Sequence, residues 1–93
     1  MSEGIVYGDF YDEIKVQSMH SSRTKYVVRC GNVSWGRDGN FKPVIYVLME
    51  YKGRIETHTN PPHYMIEPDK NGVSDITKVI NAMEELKGRF NIK

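Results

Sequence analysis

Apolar residues recur at helical spacing near the C-terminal end of the chain. They form one stripe that consists of Ile76, Val79, Ile80, Met83 and Leu86. Ser74 precedes the stripe and is a good N-cap, and Asp75 places a carboxylate in the first turn, at the positive end of the helix dipole. Gly88 follows at a position that suits a left-handed C-terminal cap. The pattern predicts a helix over residues 75–87 with its stripe against a core.

Before this helix, the alternation of apolar and polar residues is typical of β-strands. The predicted strand segments are 5–11, 13–19, 24–30 with 33–35, 43–51, 54–58 and 63–67. Segment 43–51 is apolar on both faces, as expected of a central strand. The predicted fold class is α+β: an antiparallel β-meander of five or six strands with one C-terminal helix packed on one face. Residues 1–93 form a single domain, with the sheet in 1–67.

Turn residues predict how these strands pair. Asp38-Gly39 is a hairpin signal, a three-residue loop is expected at 51–53, and a four-residue loop at 59–62. The resulting cross-strand pairs are Trp35 with Lys42, Val28 with Met49, Glu50 with Arg54, Glu56 with Met65, His58 with His63, and Arg54 with Glu67.

Strand alternation then assigns each side chain to one of two faces. The predicted core face carries Tyr26, Val28, Cys30, Ile45, Val47, Met49, Ile55, Tyr64 and Ile66. The opposite face, here called the outer face, carries Lys25, Val27, Arg29, Val33, Trp35, Lys42, Val44, Tyr46, Leu48, Glu50, Arg54, Glu56, His58, His63, Met65 and Glu67. The outer face mixes aromatic, basic and apolar groups, and we expect it to stay in contact with water.

Composition narrows the class of protein. The chain is 39 % hydrophobic and 27 % charged, and its longest apolar run, 44–49, is far shorter than a membrane helix needs. A single cysteine, Cys30, excludes a disulfide within the chain, and the first residues do not resemble a secretory signal. We therefore expect a cytoplasmic protein with no membrane partner.

Charge is unevenly distributed although the net charge is only +1. Residues 1–22 carry four acidic residues and one basic residue, whereas residues 23–54 carry seven basic and two acidic residues. This asymmetry has two explanations: an anionic partner, or two segments of one fold that neutralise each other.

Candidate chemistry is sparse. His58, His63 and Glu56 would supply two imidazoles and a carboxylate for zinc or non-haem iron, so a metal-dependent enzyme is one alternative. Cys30 falls on the core face, where a thiol is inert packing. No nucleophile, phosphate-loop or dinucleotide motif occurs. We therefore expect no catalysis and no cofactor.

The function that this pattern favours is a small non-enzymatic binding module, a regulator or inhibitor that acts by protein-protein contact through the outer face. The partner is expected to be another protein or a second copy of the chain. The predicted contacts are Arg29, Trp35, Lys42, Tyr46 and His58. The alternative is single-stranded nucleic acid, because sheets that bind it present aromatic rings for stacking and cations for phosphates.

Overall fold

The computed structural model describes residues 5–35, 39–57 and 61–93. The described elements are β1 (Ile5–Gln17), β2 (Thr24–Trp35), β3 (Lys42–Tyr51), β4 (Arg54–Glu56) and α1 (Asp75–Arg89). The strands form one antiparallel sheet in the order β1-β2-β3-β4. The α+β antiparallel fold is therefore confirmed, whereas the predicted count of five or six strands exceeds the four that this part of the chain forms.

The difference in strand count has two causes. The predicted strands 5–11 and 13–19 are one long edge strand, β1, whose register with β2 shifts between Tyr7 and Phe10 and again between Phe10 and Asp12. Such β-bulges interrupt the alternation without ending the strand. The predicted strand at 63–67 is wrong, because residues 61–66 follow the sheet as irregular chain.

The register between β2 and β3 differs from the prediction by two residues. Val28 pairs with Val47 instead of Met49, and Lys42 pairs with Val33 instead of Trp35. A shift of two residues preserves the alternation, so every side chain of these two strands lies on its predicted face. Trp35 pairs with Ile5 of β1.

The β3–β4 turn is one residue shorter than predicted, and this moves the side chains of β4 to the opposite faces of the sheet. Lys52 and Gly53 form a two-residue turn with φ of 52° and 83°, the signature of a type I′ hairpin. Glu50 therefore pairs with Ile55, and the predicted pair of Glu50 with Arg54 is wrong. Ile55 moves to the outer face, and Arg54 and Glu56 move to the side of the helix. The predicted pairs with residues 63–67 are also wrong, since that strand does not form.

One face of the sheet packs against α1 and forms the core. The buried core residues are Tyr26, Val28, Cys30, Val47, Met49, Val79, Ala82 and Leu86. The helix contributes positions 79, 82 and 86, so Ala82 takes the place predicted for Ile80, which is 50 % exposed. Ile66 was predicted on the core face but is 79 % exposed, because its segment is not a strand.

The helix ends follow from local chemistry. Ser74 Oγ accepts a hydrogen bond from the Thr77 backbone N–H (3.3 Å), which confirms the N-cap. The predicted C-terminal cap at Gly88 is wrong, because the helix continues to Arg89 and Asn91 adopts the left-handed conformation with φ of 58°. Ile92 and Asn91 donate backbone hydrogen bonds to the carbonyls of Lys87 and Gly88, a Schellman motif.

A buried carboxylate fixes the N-terminal end of the helix to the sheet. Asp75 is fully buried and accepts hydrogen bonds from Ser18 Oγ (2.8 Å), Tyr26 Oη (2.7 Å) and the backbone N–H of Met19 (3.1 Å). Burial alone would raise the pKa of this carboxyl, but the three hydrogen bonds outweigh burial and lower its pKa. At the other end of the helix, Arg89 bonds Asp12 of β1 (2.7 Å).

Replacing Asp75 should destabilise the protein far more than replacing an exposed aspartate. The Asp75→Asn substitution removes the charge and turns an amide donor toward groups that are themselves donors, so we expect a loss of about 2–3 kcal/mol in the free energy of unfolding. Tyr26→Phe should cost about 1–2 kcal/mol, because only one hydrogen bond is lost. Urea unfolding measures both. Asp9→Asn, at an exposed position, is the control and should cost no more than about 0.5 kcal/mol; equal losses at both aspartates would contradict the role of Asp75.

Acid should weaken the fold through Asp69. The hydrogen bond from Lys78 (2.9 Å), with backbone N–H groups of Val73 and Asn71, lowers the pKa of the Asp69 carboxyl to about 2. Because this pKa is below the unfolded value, the carboxylate stabilises the folded state above about pH 4, and that contribution disappears as the pH falls through about 2. Urea unfolding at several pH values should show a smaller acid-induced loss for Asp69→Asn than for the wild type. Parallel pH profiles for the two proteins would refute this assignment.

Candidate functional site

The outer face brings together four of the five predicted contact residues. Arg29 pairs directly with Tyr46 across β2 and β3, and Lys42 lies opposite Val33. Trp35 ends β2 on the same face, two residues beyond Val33. The fifth predicted contact, His58, lies outside the described residues.

Arg29 is held by its neighbours. Its Nε donates to Glu13 Oε1 at 2.8 Å, and its Cζ lies 4.0 Å from the centre of the Phe10 ring. Its side chain is only 17 % exposed. Arg29 therefore fixes β1 to β2 through an ion pair and a cation–π contact, and its charge is largely balanced within the fold.

The middle of the outer face is closed by a second ion pair. Lys15 Nζ of β1 lies 2.8 Å from Glu50 Oε1 of β3, so the two side chains cross β2 next to Val27. The hydrogen bond to Glu50 and the charge of Glu50 raise the pKa of Lys15. Val27, Leu48 and Glu50 are buried as a result. The expectation that the whole outer face stays in contact with water is therefore wrong at its middle.

Aromatic side chains gather at the end of the outer face that is far from the β3–β4 turn. We call this end the aromatic patch, and it consists of Ile5, Tyr7, Phe10, Val33, Trp35, Lys42 and Tyr46. Trp35 is 54 % exposed, Phe10 42 % and Ile5 40 %. The Tyr7 and Tyr46 rings pack with their centres 5.1 Å apart. Burial, and then Tyr46, raise the pKa of Tyr7.

Tyr46 contributes to the patch as a support. Its hydroxyl oxygen is buried and has no hydrogen-bond partner in the part of the chain that the structure describes. A buried phenol oxygen without a partner among the described residues is a costly arrangement for the fold.

Three residues of the patch were missing from the predicted outer face, and all three come from β1. Ile5, Tyr7 and Phe10 reach the outer face because β1 pairs along the whole of β2. Their apolar character is visible in the sequence. Their face is not, because the register shift between Tyr7 and Phe10 reverses the alternation and the shift between Phe10 and Asp12 restores it.

Gly31 lies at the centre of this arrangement, opposite Phe10. A Cβ atom on Gly31 would lie 2.7 Å from both Cα and Cβ of Phe10, closer than real Cβ contacts allow. The absence of a side chain is therefore what lets β1 bulge against β2 and present Phe10 on the outer face.

The metal alternative has no support in the described residues, where no group of three His, Cys, Asp or Glu side chains lies close enough to hold an ion. The predicted pair of His58 and His63 also depended on a strand at 63–67 that does not form. His63 instead lies with His20 at a cavity of about 260 Å³, whose buried walls include Tyr26 and Met49. Cys30 is buried, and burial raises the pKa of its thiol.

The chain shows no similarity to known proteins that would assign a role to this site. No protein-family model, curated protein or solved structure matches this chain. No helix among residues 5–35, 39–57 and 61–93 is long and apolar enough to cross a membrane.

The Gly31→Ala substitution should damage the outer face. The new methyl group would clash with the Phe10 backbone, so we expect a loss of about 1–3 kcal/mol in the free energy of unfolding, measured by urea titration. Gly88→Ala is the matched control: a Cβ there meets nothing within 4 Å, and Gly88 lies in the helix. The free energy of unfolding of the Gly88→Ala protein should rise by about 0.5–1 kcal/mol. A Gly31→Ala protein as stable as the wild type would show that the close approach of β1 is not required.

Proposed function

We propose that the protein is a small non-enzymatic binding module, a regulator or inhibitor that acts by protein-protein contact through the aromatic patch. The observation that carries the proposal is the cluster of Trp35, Ile5 and Phe10, three large apolar side chains that are each 40–54 % exposed on one sheet face. Ile5 is the direct cross-strand partner of Trp35. A rigid sheet that exposes tryptophan and phenylalanine together has the composition of an interface hot spot.

The surroundings of the patch favour a protein partner. Arg29 packs on the exposed Phe10 ring, Tyr46 packs on Tyr7, and Lys42 adds a charge at the rim. Aromatic side chains on strands lose little conformational freedom on binding, which lowers the cost of association. The ion pairs next to the patch are satisfied within the chain, so they would surround a contact without adding unpaired charge to it.

Single-stranded nucleic acid is the second candidate, and the charges count against it. Arg29 and Lys15, two cations of the outer face, form ion pairs with Glu13 and Glu50. Phosphate binding draws its affinity from cations that are free to replace counterions. Among the described residues of the aromatic patch, Lys42 is the remaining cation, and one cation is little for a sheet that binds a polyanion.

The Trp35→Ala substitution should strongly weaken partner binding and leave the fold intact. Trp35 is largely exposed, so its loss should change the free energy of unfolding by no more than about 0.5 kcal/mol. Loss of a central anchor should reduce the recovery of the partner in a quantitative pull-down at least about tenfold. Ile66→Ala is the control, since Ile66 is 79 % exposed and lies outside the patch.

Two further measurements identify the class of partner. Sedimentation of the purified protein shows whether the partner is a second copy, in which case the dimer should be lost in Trp35→Ala. Titration with an oligonucleotide at two salt concentrations shows whether nucleic acid binds, because phosphate contacts weaken steeply with salt. Equal recovery of the same proteins by wild type, Trp35→Ala and Ile66→Ala would refute the proposed interface.

A further inference from the structure

A second surface lies at the opposite end of the sheet, where the β1–β2 loop meets the β3–β4 turn. A shallow groove of about 400 Å³ is lined there by Ser22, Arg23, Lys25, Glu50, Lys52 and Gly53. We call it the basic groove. Lys25 and Trp35 are ten residues apart on β2, which corresponds to roughly 33 Å along the strand. The basic groove is therefore separate from the aromatic patch.

Backbone pairing holds the three basic residues of the groove together. The Lys52 backbone N–H donates to the Arg23 carbonyl at 2.9 Å, which joins the β1–β2 loop to the β3–β4 turn. Lys25 of β2 pairs with Glu50 of β3, and Glu50 precedes Lys52 by two residues in the chain. The three cations therefore lie on adjacent, hydrogen-bonded segments, so the groove exists before any ligand arrives.

The positive charge of the groove is not balanced within the described chain. Glu50 is the acidic residue that lines it, and its carboxylate is 2.8 Å from Lys15 Nζ of β1. Arg23, Lys25 and Lys52 form no ion pair with the residues that the structure describes. Neighbouring like charges without a counterion reduce stability, so this arrangement is unfavourable for the fold alone.

Lys52 is also an unfavourable residue for its turn. Its φ of 52° lies in the left-handed region, where asparagine, aspartate and glycine are the preferred residues of a type I′ turn. Asparagine at this position would suit the turn better and would remove one of the crowded charges. A lysine here places a cation at the groove at the expense of the turn, and backbone outliers of this kind concentrate at functional sites.

We propose that the basic groove binds a phosphoryl group. A phosphate carries up to two negative charges and accepts several hydrogen bonds, which matches the three cationic residues and the Ser22 hydroxyl that line the groove. The same chemistry is offered by a free inorganic phosphate and by a phosphate ester on a larger molecule. The site does not depend on the proposed protein interface.

The Lys52→Asn substitution separates a binding role of Lys52 from a structural one. It should weaken ligand binding and, at the same time, stabilise the fold. Titration of the full chain with pyrophosphate, followed by NMR, should give saturable shifts that are concentrated in residues 22–25 and 50–53. Lys52→Asn should weaken this binding at least about fivefold, since one of three cations is lost. The same substitution should raise the melting temperature by about 2–4 °C, because the turn gains a preferred residue.

Lys70→Asn is the matched control, since it removes the same charge from an exposed turn outside the groove. It should leave pyrophosphate affinity within about twofold of the wild type, because Lys70 does not line the groove and charges on the surface are screened by salt. Glycerol 3-phosphate and inorganic phosphate form the remaining arms. Tighter binding of the ester identifies a phosphorylated molecule as the ligand, and tighter binding of inorganic phosphate identifies the free anion.

Two results would overturn the proposal. One is the absence of saturable shifts in the groove with every phosphate tested. The other is an equal loss of affinity in Lys52→Asn and Lys70→Asn, which would reduce the effect to net charge.

Discussion

The Asp75 carboxylate is the interaction on which the arrangement of helix and sheet depends. It binds the end of β1 through Ser18 and Met19, and it binds β2 through Tyr26, while it occupies the first position of the helix. A charge buried this deeply is tolerated only where hydrogen bonds converge on it, so the helix has one favourable docking position. That position turns Val79, Ala82 and Leu86 to the core and decides which sheet face is left uncovered.

Charged side chains of the sheet itself cover the middle of the face that the helix leaves uncovered. Acidic β1 and basic β2 meet through Glu13 and Arg29, and Lys15 reaches across to Glu50 on β3. The pair of Glu13 and Arg29 thus neutralises part of the opposite charge of residues 1–22 and 23–54 within the fold, as the second of the two explanations expects. The aliphatic stems of these side chains cover the apolar residues below them. The exposed aromatic side chains of this face lie at one end of the sheet, and the cations of the basic groove lie at the other.

Regular alternation and capping chemistry were sufficient to predict the α+β fold, the helix and the two faces of β2 and β3 from the sequence. The predictions failed where one residue decides the geometry. A turn at Lys52-Gly53 one residue shorter than expected moved Ile55 to the other face. Bulges in β1 concealed the contribution of Tyr7 and Phe10. Ala82 occupies the core position that was predicted for Ile80. The hydrogen bonds of Asp75 set the rotation of the helix about its axis, and the spacing of apolar residues does not show that rotation.

The bulges of β1 also bear on how two copies of this chain could meet. A regular edge strand of 13 residues offers a template for sheet extension between molecules and, at high concentration, for aggregation. In β1 that template is interrupted twice, and Asp9, Asp12 and Lys15 place charges along it. Edge-to-edge growth is thereby discouraged, so a contact between two copies would have to use the faces of the sheet, where a symmetric pair closes and does not propagate.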